Sequence, residues 1–409
     1  MNATVTAPST SGTITAPRVV SIDIFRGLTM AVMIFVNELS GVRGLPWWTY
    51  HAPASVDVMT YVDMVFPFFL FSVGMSLPLS VSQRLKRNPS LLSLWMHVLL
   101  RSASLLALGL ILANAEKADP ARMIVNGNIW ALLGLLCMAL YLNVYVKSER
   151  FPAYANVLRI AGLVGVIIVF ALFRRTTQSG HVAWIDPSYP EILGLIAYSY
   201  LATAILYIPT RRWKWASVVW FVLLIALCTL STAKLLIFPE ALPLYLWPFG
   251  NGAMACMVMA GIVTSTIYLD TAPGSSPRKS MLIAIGFAIL MLVAGRLLTP
   301  LGISKIRATP TWSLYSIATS VLLFTLLYWV CDMKHHTRWA ALVKPAGSNT
   351  LTTYLLPDLW YFLLGTLGIT FLESHFNLGW PGVVKTLVFT LFILAVSVVL
   401  TRQKVRLQL

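Results

Sequence analysis

The chain has 409 residues, of which 58% are hydrophobic and only 11% charged, and its mean hydropathy is +0.79. Soluble domains carry about 25% charged residues, so this composition excludes a soluble enzyme, a disordered chain and a disulfide-rich secreted module. The 30 Lys and Arg residues against 14 Asp and Glu give a formal charge of +16, which in a membrane protein reflects topology rather than a nucleic-acid partner.

Long apolar runs recur from the first fifth of the chain to the last, without the alternation typical of a β-barrel. Because a helix needs about 20 apolar residues to cross a bilayer, the sequence predicts an all-α polytopic helical membrane bundle. The twelve predicted transmembrane helices lie at 22–41, 61–81, 94–114, 127–146, 157–174, 189–208, 215–236, 247–267, 280–299, 311–331, 349–371 and 383–400.

The connections between these helices differ in charge. Those on the side of the two termini carry 17 Lys and Arg residues, against nine on the other side. Basic loops stay in the cytoplasm, so we expect both termini to be cytoplasmic. The sequence thus predicts a cytoplasmic tail at 1–20 and a single transmembrane domain at 21–409, without an internal repeat or an inter-domain linker.

The first helix carries Asp23 and Arg26, three residues apart and therefore on one helical face. They fit a structural ion pair that anchors the end of the helix. Alternatively, Arg26 is a phosphate ligand, since its guanidinium matches the geometry of phosphate oxygens. The residues alone leave both interpretations open.

A second polar group is predicted at the other end of this helix. At 1.5 Å per residue, Asn37 lies about 21 Å from Asp23, so Asn37, His51 and Asp63 gather on the face opposite to the termini. A histidine there is either an ordinary surface residue or a general base. The sequence has no P-loop, HExxH, GxSxG or Cys/His metal motif, so we expect no metal site and no ATP hydrolysis.

Three stretches resemble a known family: 18–37, then Tyr50 to Ala52, then 62–71. They are similar to the heparan-α-glucosaminide N-acetyltransferases, and look closest to the bacterial NagX branch. These transmembrane acyltransferases move an acetyl group from cytoplasmic acetyl-CoA to an amino sugar across the membrane. The resemblance covers about 60 residues strongly. The family's Gly-Val-Leu-Gln-Arg element is absent here, and Pro357-Asp358 replaces its His-Glu pair.

The resemblance implies an acyl-CoA-dependent acetyltransferase of a bacterial inner membrane. It places the active-site histidine on His51 and its partner asparagine on Asn37, with Asp63 orienting the imidazole. We expect the co-substrate acetyl-CoA to contact Asp23, Arg26, Arg84, Lys86, Lys344 and Asn349. The other expected partners are an amino sugar such as glucosamine, N-acetylglucosamine or a muropeptide, and membrane lipid, and a homodimer is left open.

The alternative is a transporter of N-acetylglucosamine or a related sugar, since twelve helices with cytoplasmic termini suit that class as well. The polar residues concentrate in the first two helices, however, whereas a transporter shares them between two halves. A purely structural scaffold leaves the polar side chains inside apolar helices unexplained.

Overall fold

The computed structural model describes residues 19–145, 153–238, 242–269 and 276–408. Of the predicted tail only residues 19 and 20 fall within these ranges. Arg18, Lys147 and Arg150, which contribute to the predicted charge asymmetry, lie outside the described residues.

The described chain is mostly helical. The helices are α1 (Val20–Leu39), α2 (Val62–Arg87), α3 (Leu91–Asn114), α4 (Gly127–Leu142), α5 (Tyr154–Leu172), α6 (Glu191–Thr210), α7 (Ala216–Thr232), α8 (Ala253–Leu269), α9 (Pro277–Leu297), α10 (Pro310–Leu327), α11 (Val343–Ser348), α12 (Thr350–Leu367), α13 (Phe371–Phe376) and α14 (Gly379–Arg402). One short antiparallel hairpin, β1 (Arg175–Thr176) with β2 (Val182–Ala183), is the exception to the predicted all-α fold.

Each of the twelve predicted segments overlaps one of the long helices. Within the described residues, eight helices are long and apolar enough to cross a membrane, and α4, α7 and α8 are shorter apolar helices. A helical membrane protein is therefore confirmed. The count of twelve crossings and the cytoplasmic termini stay predictions.

The bundle has two ends that differ in their loops and polar side chains. The His51 end comprises loop 40–61, the first turns of α2 and α6, and loop 298–309. Arg307 in loop 298–309 pairs with Asp57 in loop 40–61. The opposite end comprises the start of α1, the end of α2 and the start of α3. There the backbone N–H groups of Val20 and Ser21 donate to Asp332, at 2.9 and 3.0 Å.

The first and last long helices are joined by a buried ion pair. Lys385 Nζ in α14 lies 2.7 Å from Glu38 Oε1 in α1, and both side chains are at most 10% exposed. Tyr361 Oη in α12 donates to the other carboxylate oxygen of Glu38. A buried charge requires such pairing, so α1, α12 and α14 are held together near one end.

Helix α2 passes α8 at very short range, and glycines make this possible. An added Cβ on Gly74 would lie 1.8 Å from the carbonyl oxygen of Val258, and one on Gly261 would lie 2.1 Å from that of Phe71. Small residues allow membrane helices to approach closely and gain van der Waals contact. Because backbone atoms form both contacts, neither helix can yield locally.

We expect Gly74→Ala to destabilise the protein by about 3 kcal/mol, the upper end for overpacking, because the added methyl group displaces α8. The thermal unfolding midpoint in detergent measures this. Gly286→Ala in α9 is the matched control, since nothing lies within 4 Å of its Cβ. Equal midpoints for the two variants would contradict the close crossing.

Candidate active site

A histidine–aspartate pair lies at the His51 end. Asp63 is in the first turn of α2 with a fully buried side chain, and its Oδ1 lies 2.7 Å from Nδ1 of the 41%-exposed His51. The other oxygen accepts from the backbone N–H groups of Thr60, at 3.0 Å, and Ala52, at 3.3 Å. From α10, the indole of Trp312 donates to the Asp63 carbonyl at 3.0 Å. A carboxylate on Nδ1 favours the tautomer that leaves Nε2 as a proton acceptor.

Lys305 brings a cation to this pair from loop 298–309. Its Nζ lies 3.2 Å from Nε2 and 3.3 Å from Nδ1 of His51. Burial lowers the pKa of Lys305 below its usual value, and attraction by the carboxylates of Asp63 and Glu191 partly offsets this effect. The imidazole therefore lies between an anion and a half-buried cation.

Glu191 and Tyr354 continue the polar cluster toward the inside of the bundle. The hydroxyl of Tyr354, in α12, donates to Glu191 Oε2 at 3.4 Å. Glu191 is the first residue of α6 and has a φ of 58°, a region that non-glycine residues rarely occupy. The side chain of Tyr354 also lines the cavity that opens toward the opposite end.

That cavity has a volume of about 780 Å³, and we call it the basic cavity. Asp23 is its single acidic lining residue among those described. Along α2 it extends from Asn88 to Phe69, about 28 Å at 1.5 Å per residue. Its basic lining residues are Arg26, Arg84, Arg87, His97 and Arg101.

Several buried side-chain nitrogens in the cavity wall have no hydrogen-bond partner among the described residues. In the described part of the chain, Arg26 Nε, His97 Nε2 and Arg101 Nε are buried without a hydrogen-bond partner. Arg26 still pairs through Nη2 with Asp23, which is the ion pair that the sequence offers as one of two interpretations. Buried polar groups are normally hydrogen-bonded, so the two guanidinium N–H groups suit a ligand that carries acceptor oxygens. Guanidinium groups favour phosphate.

The structure brings together only part of the predicted catalytic group. His51 and Asp63 are in contact. Asn37, however, is exposed, and its side chain makes no hydrogen bond with either residue in the part of the chain described.

The predicted donor-site residues divide in the same way. Asp23, Arg26 and Arg84 line the basic cavity, whereas Lys86 and Lys344 are exposed and outside its lining. The sixth residue, Asn349, is buried, and its side chain is used structurally. It donates to the carbonyl of Val405 at 2.9 Å and accepts from Thr352 at 2.6 Å.

Sequence reasoning missed Lys305, Glu191 and Arg101 as site residues. Lys305 entered the prediction only as a basic loop residue. A detectable signal existed for Arg101, which is four residues after His97 inside an apolar helix and therefore on the same face. Charged residues at such positions are functional candidates.

Two family models match the chain. The one described as an acyltransferase domain matches residues 192–402, and the one described as a domain of unknown function (DUF5009) matches residues 18–263. Two curated relatives are the heparan-alpha-glucosaminide N-acetyltransferases of Homo sapiens, 38% identical over 98 residues, and Mus musculus, 37% identical over 99 residues. Each alignment covers 24% of this chain and 14% of the relative, so the chain matches about one seventh of those proteins.

The lowered pKa of Lys305 predicts a pH dependence of stability. Between that pKa and the usual value of 10.5, the unfolded chain binds more protons than the folded one, so the free energy of unfolding rises with pH. Relative to Lys305→Met, the wild type should therefore gain stability from pH 7 to pH 10. Thermal unfolding midpoints of both proteins in detergent test this. A constant difference would show that burial leaves the lysine unaffected.

Proposed function

We propose a transmembrane acyl transfer for this chain, which belongs to the acyltransferase domain family and to the family described as a domain of unknown function (DUF5009). The donor is acetyl-CoA, bound in the basic cavity from the cytoplasmic side. The acceptor is the amino group of a sugar such as glucosamine, or of a muropeptide, bound at the His51 end. The residues 21–409 then form one catalytic transmembrane domain with cytoplasmic termini in a bacterial inner membrane.

One observation carries the proposal. Helix α2 lines the basic cavity and also carries Asp63 of the His51–Asp63 pair. Phe69, the cavity-lining residue of α2 nearest to Asp63, is six residues from it. This separation is about 9 Å along α2. A donor whose charged part lies among the arginines can therefore extend its reactive end toward the imidazole without leaving the bundle.

The chemistry of the cavity suits the phosphates of a CoA thioester. The described cavity lining contains four arginines, Arg26, Arg84, Arg87 and Arg101, and one carboxylate, Asp23. The excess of positive charge attracts an anion. Among the described residues, two of its buried guanidinium nitrogens, Arg26 Nε and Arg101 Nε, lack acceptors, and phosphate oxygens supply them. The cavity is long enough along α2 to hold the extended chain of the CoA donor between its phosphates and the His51 end.

In the transfer step the proton acceptor is Nε2 of His51, which has Lys305 Nζ at 3.2 Å. As the amine nitrogen attacks the thioester carbonyl, its proton goes to Nε2, the C–S bond breaks and the electron pair leaves with sulfur. A route through an acetyl-imidazole is equally compatible with the geometry. In both routes Asp63 orients the ring and stabilises its positive charge. The role of partner asparagine that the resemblance implies for Asn37 stays a prediction, and so does the homodimer.

His51→Ala should lower acetyl transfer at least about 100-fold, the usual contribution of a general base, while the protein still folds. The measurement is acceptor-dependent release of CoA by the purified protein, with glucosamine, N-acetylglucosamine and muropeptides offered. His375→Ala is the control, because this exposed side chain has its hydrogen bonds to Ser374 and Phe371, within its own helical turn. Near-normal turnover in His51→Ala would reject the catalytic role. Sugar uptake by proteoliposomes without CoA release would favour the transporter.

Arg84→Gln should weaken CoA binding about tenfold, because one charge-assisted hydrogen bond to phosphate contributes about 1.5 kcal/mol or more. Isothermal titration calorimetry in detergent gives the dissociation constant. Lys279→Gln removes the same charge from an exposed position in the first turn of α9, outside the cavity lining. If both variants bind CoA equally well, the basic cavity is not the donor site.

A further inference from the structure

We infer that Lys305 is a positioning residue that keeps the His51 imidazole in its neutral, proton-accepting form. The inference deepens the proposed function and rests on it, since it concerns the charge state of the proposed base. In the sequence alone, Lys305 counts only as one of the basic loop residues that indicate membrane topology.

The need for such a residue follows from Asp63. Its carboxylate is fully buried, lies 2.7 Å from His51 Nδ1 and accepts two backbone N–H groups through its other oxygen. These donors favour the ionised carboxylate. An anion at this distance favours the imidazolium form of the ring. A ring that already carries two protons accepts no proton from an amine, so Asp63 alone works against a base.

Lys305 supplies the opposing charge. Its ammonium nitrogen is 3.2 and 3.3 Å from the two ring nitrogens, and two like charges at that separation repel. The ammonium therefore favours the uncharged imidazole. Asp63 retains its hydrogen bond to Nδ1 and still fixes the ring, so orientation and charge state are controlled by different residues.

The surrounding groups keep Lys305 charged enough for this role. Asp63 from α2 and Glu191 from α6 both attract the ammonium. The hydroxyl of Tyr354 in α12 occupies one oxygen of Glu191. In the same loop, Arg307 is paired with the exposed Asp57, and the two form a separate ion pair.

The loop geometry also explains why this lysine contacts the ring. Ala308, three residues on, has a φ of 50°, and Thr309 closes the loop by donating through its backbone N–H to the carbonyl of Ser304 at 3.1 Å. The hydroxyl of Thr309 in turn accepts from the N–H of Ser304 at 3.0 Å. This tight turn holds residue 305 beside the start of α10, whose Trp312 bonds Asp63.

The test measures the charge of His51 without requiring turnover. Diethyl pyrocarbonate reacts with unprotonated imidazole, so its rate at the His51 peptide, followed by mass spectrometry from pH 5 to pH 9, reports the neutral fraction. The full chain in detergent is used as wild type, Lys305→Met, Lys305→Gln, Lys305→Arg and Arg307→Met. Size-exclusion profiles and unfolding midpoints verify that each variant is folded.

We expect the pH of half-maximal modification to rise by about one unit in Lys305→Met and Lys305→Gln, the size typical of a lost neighbouring charge. Lys305→Arg should restore the wild-type profile, and Arg307→Met should match it. The acid limb of CoA release against pH should move by the same amount. A merely structural role of Lys305 predicts a lower rate at every pH and no shift.

The outcomes separate this inference from the proposed function. Superimposed modification profiles for wild type and both neutral variants would overturn the role of Lys305, whatever the protein catalyses. If the two neutral variants shift the modification profile but the wild-type protein releases no CoA with any acceptor, the electrostatic effect is supported and the acyl transfer is rejected.

Discussion

The site depends on one constraint: a carboxylate removed from water must have its oxygens satisfied by the protein. A buried charge that lacks partners costs several kcal/mol, so the chain around Asp63 is arranged to supply them. The loop after α1 folds over the start of α2 and donates through Thr60, Ala52 and His51. Through Trp312 the same residue binds α10. The His51 imidazole is thus positioned by the hydrogen bonds that the buried Asp63 carboxylate requires.

Helix α2 joins the two halves of the proposed reaction. Its first turn holds Asp63, and its later turns form one wall of the basic cavity down to Asn88. The close crossing of Gly74 with α8 fixes this helix from its other side. One helix thus carries both a wall of the cavity and the start of the His51 end, which suits a transfer that requires close positioning of the reacting groups.

Much of this arrangement could be predicted from residues that are near each other in sequence. The apolar runs predicted the helices, and the short spacing from His51 to Asp63 placed that pair. Lys305, Glu191 and Tyr354 come from distant segments and meet only through tertiary packing. Asn37 fails to join for a geometric reason. Phe25 packs against Phe71. Asn37 lies twelve residues beyond Phe25 in α1, whereas Asp63 lies eight residues from Phe71 in α2, so Asn37 is about 6 Å further along the bundle than Asp63.

The ion pair between Glu38 and Lys385 separates the order of synthesis from the order of assembly. Glu38 is made early, but its lysine partner belongs to the last long helix, and Tyr361 follows Glu38 by 323 residues. The first helix is therefore synthesised long before the lysine that pairs with its carboxyl group. A chain that ends before residue 385 therefore lacks the cation that pairs with the buried Glu38 carboxylate in the finished bundle.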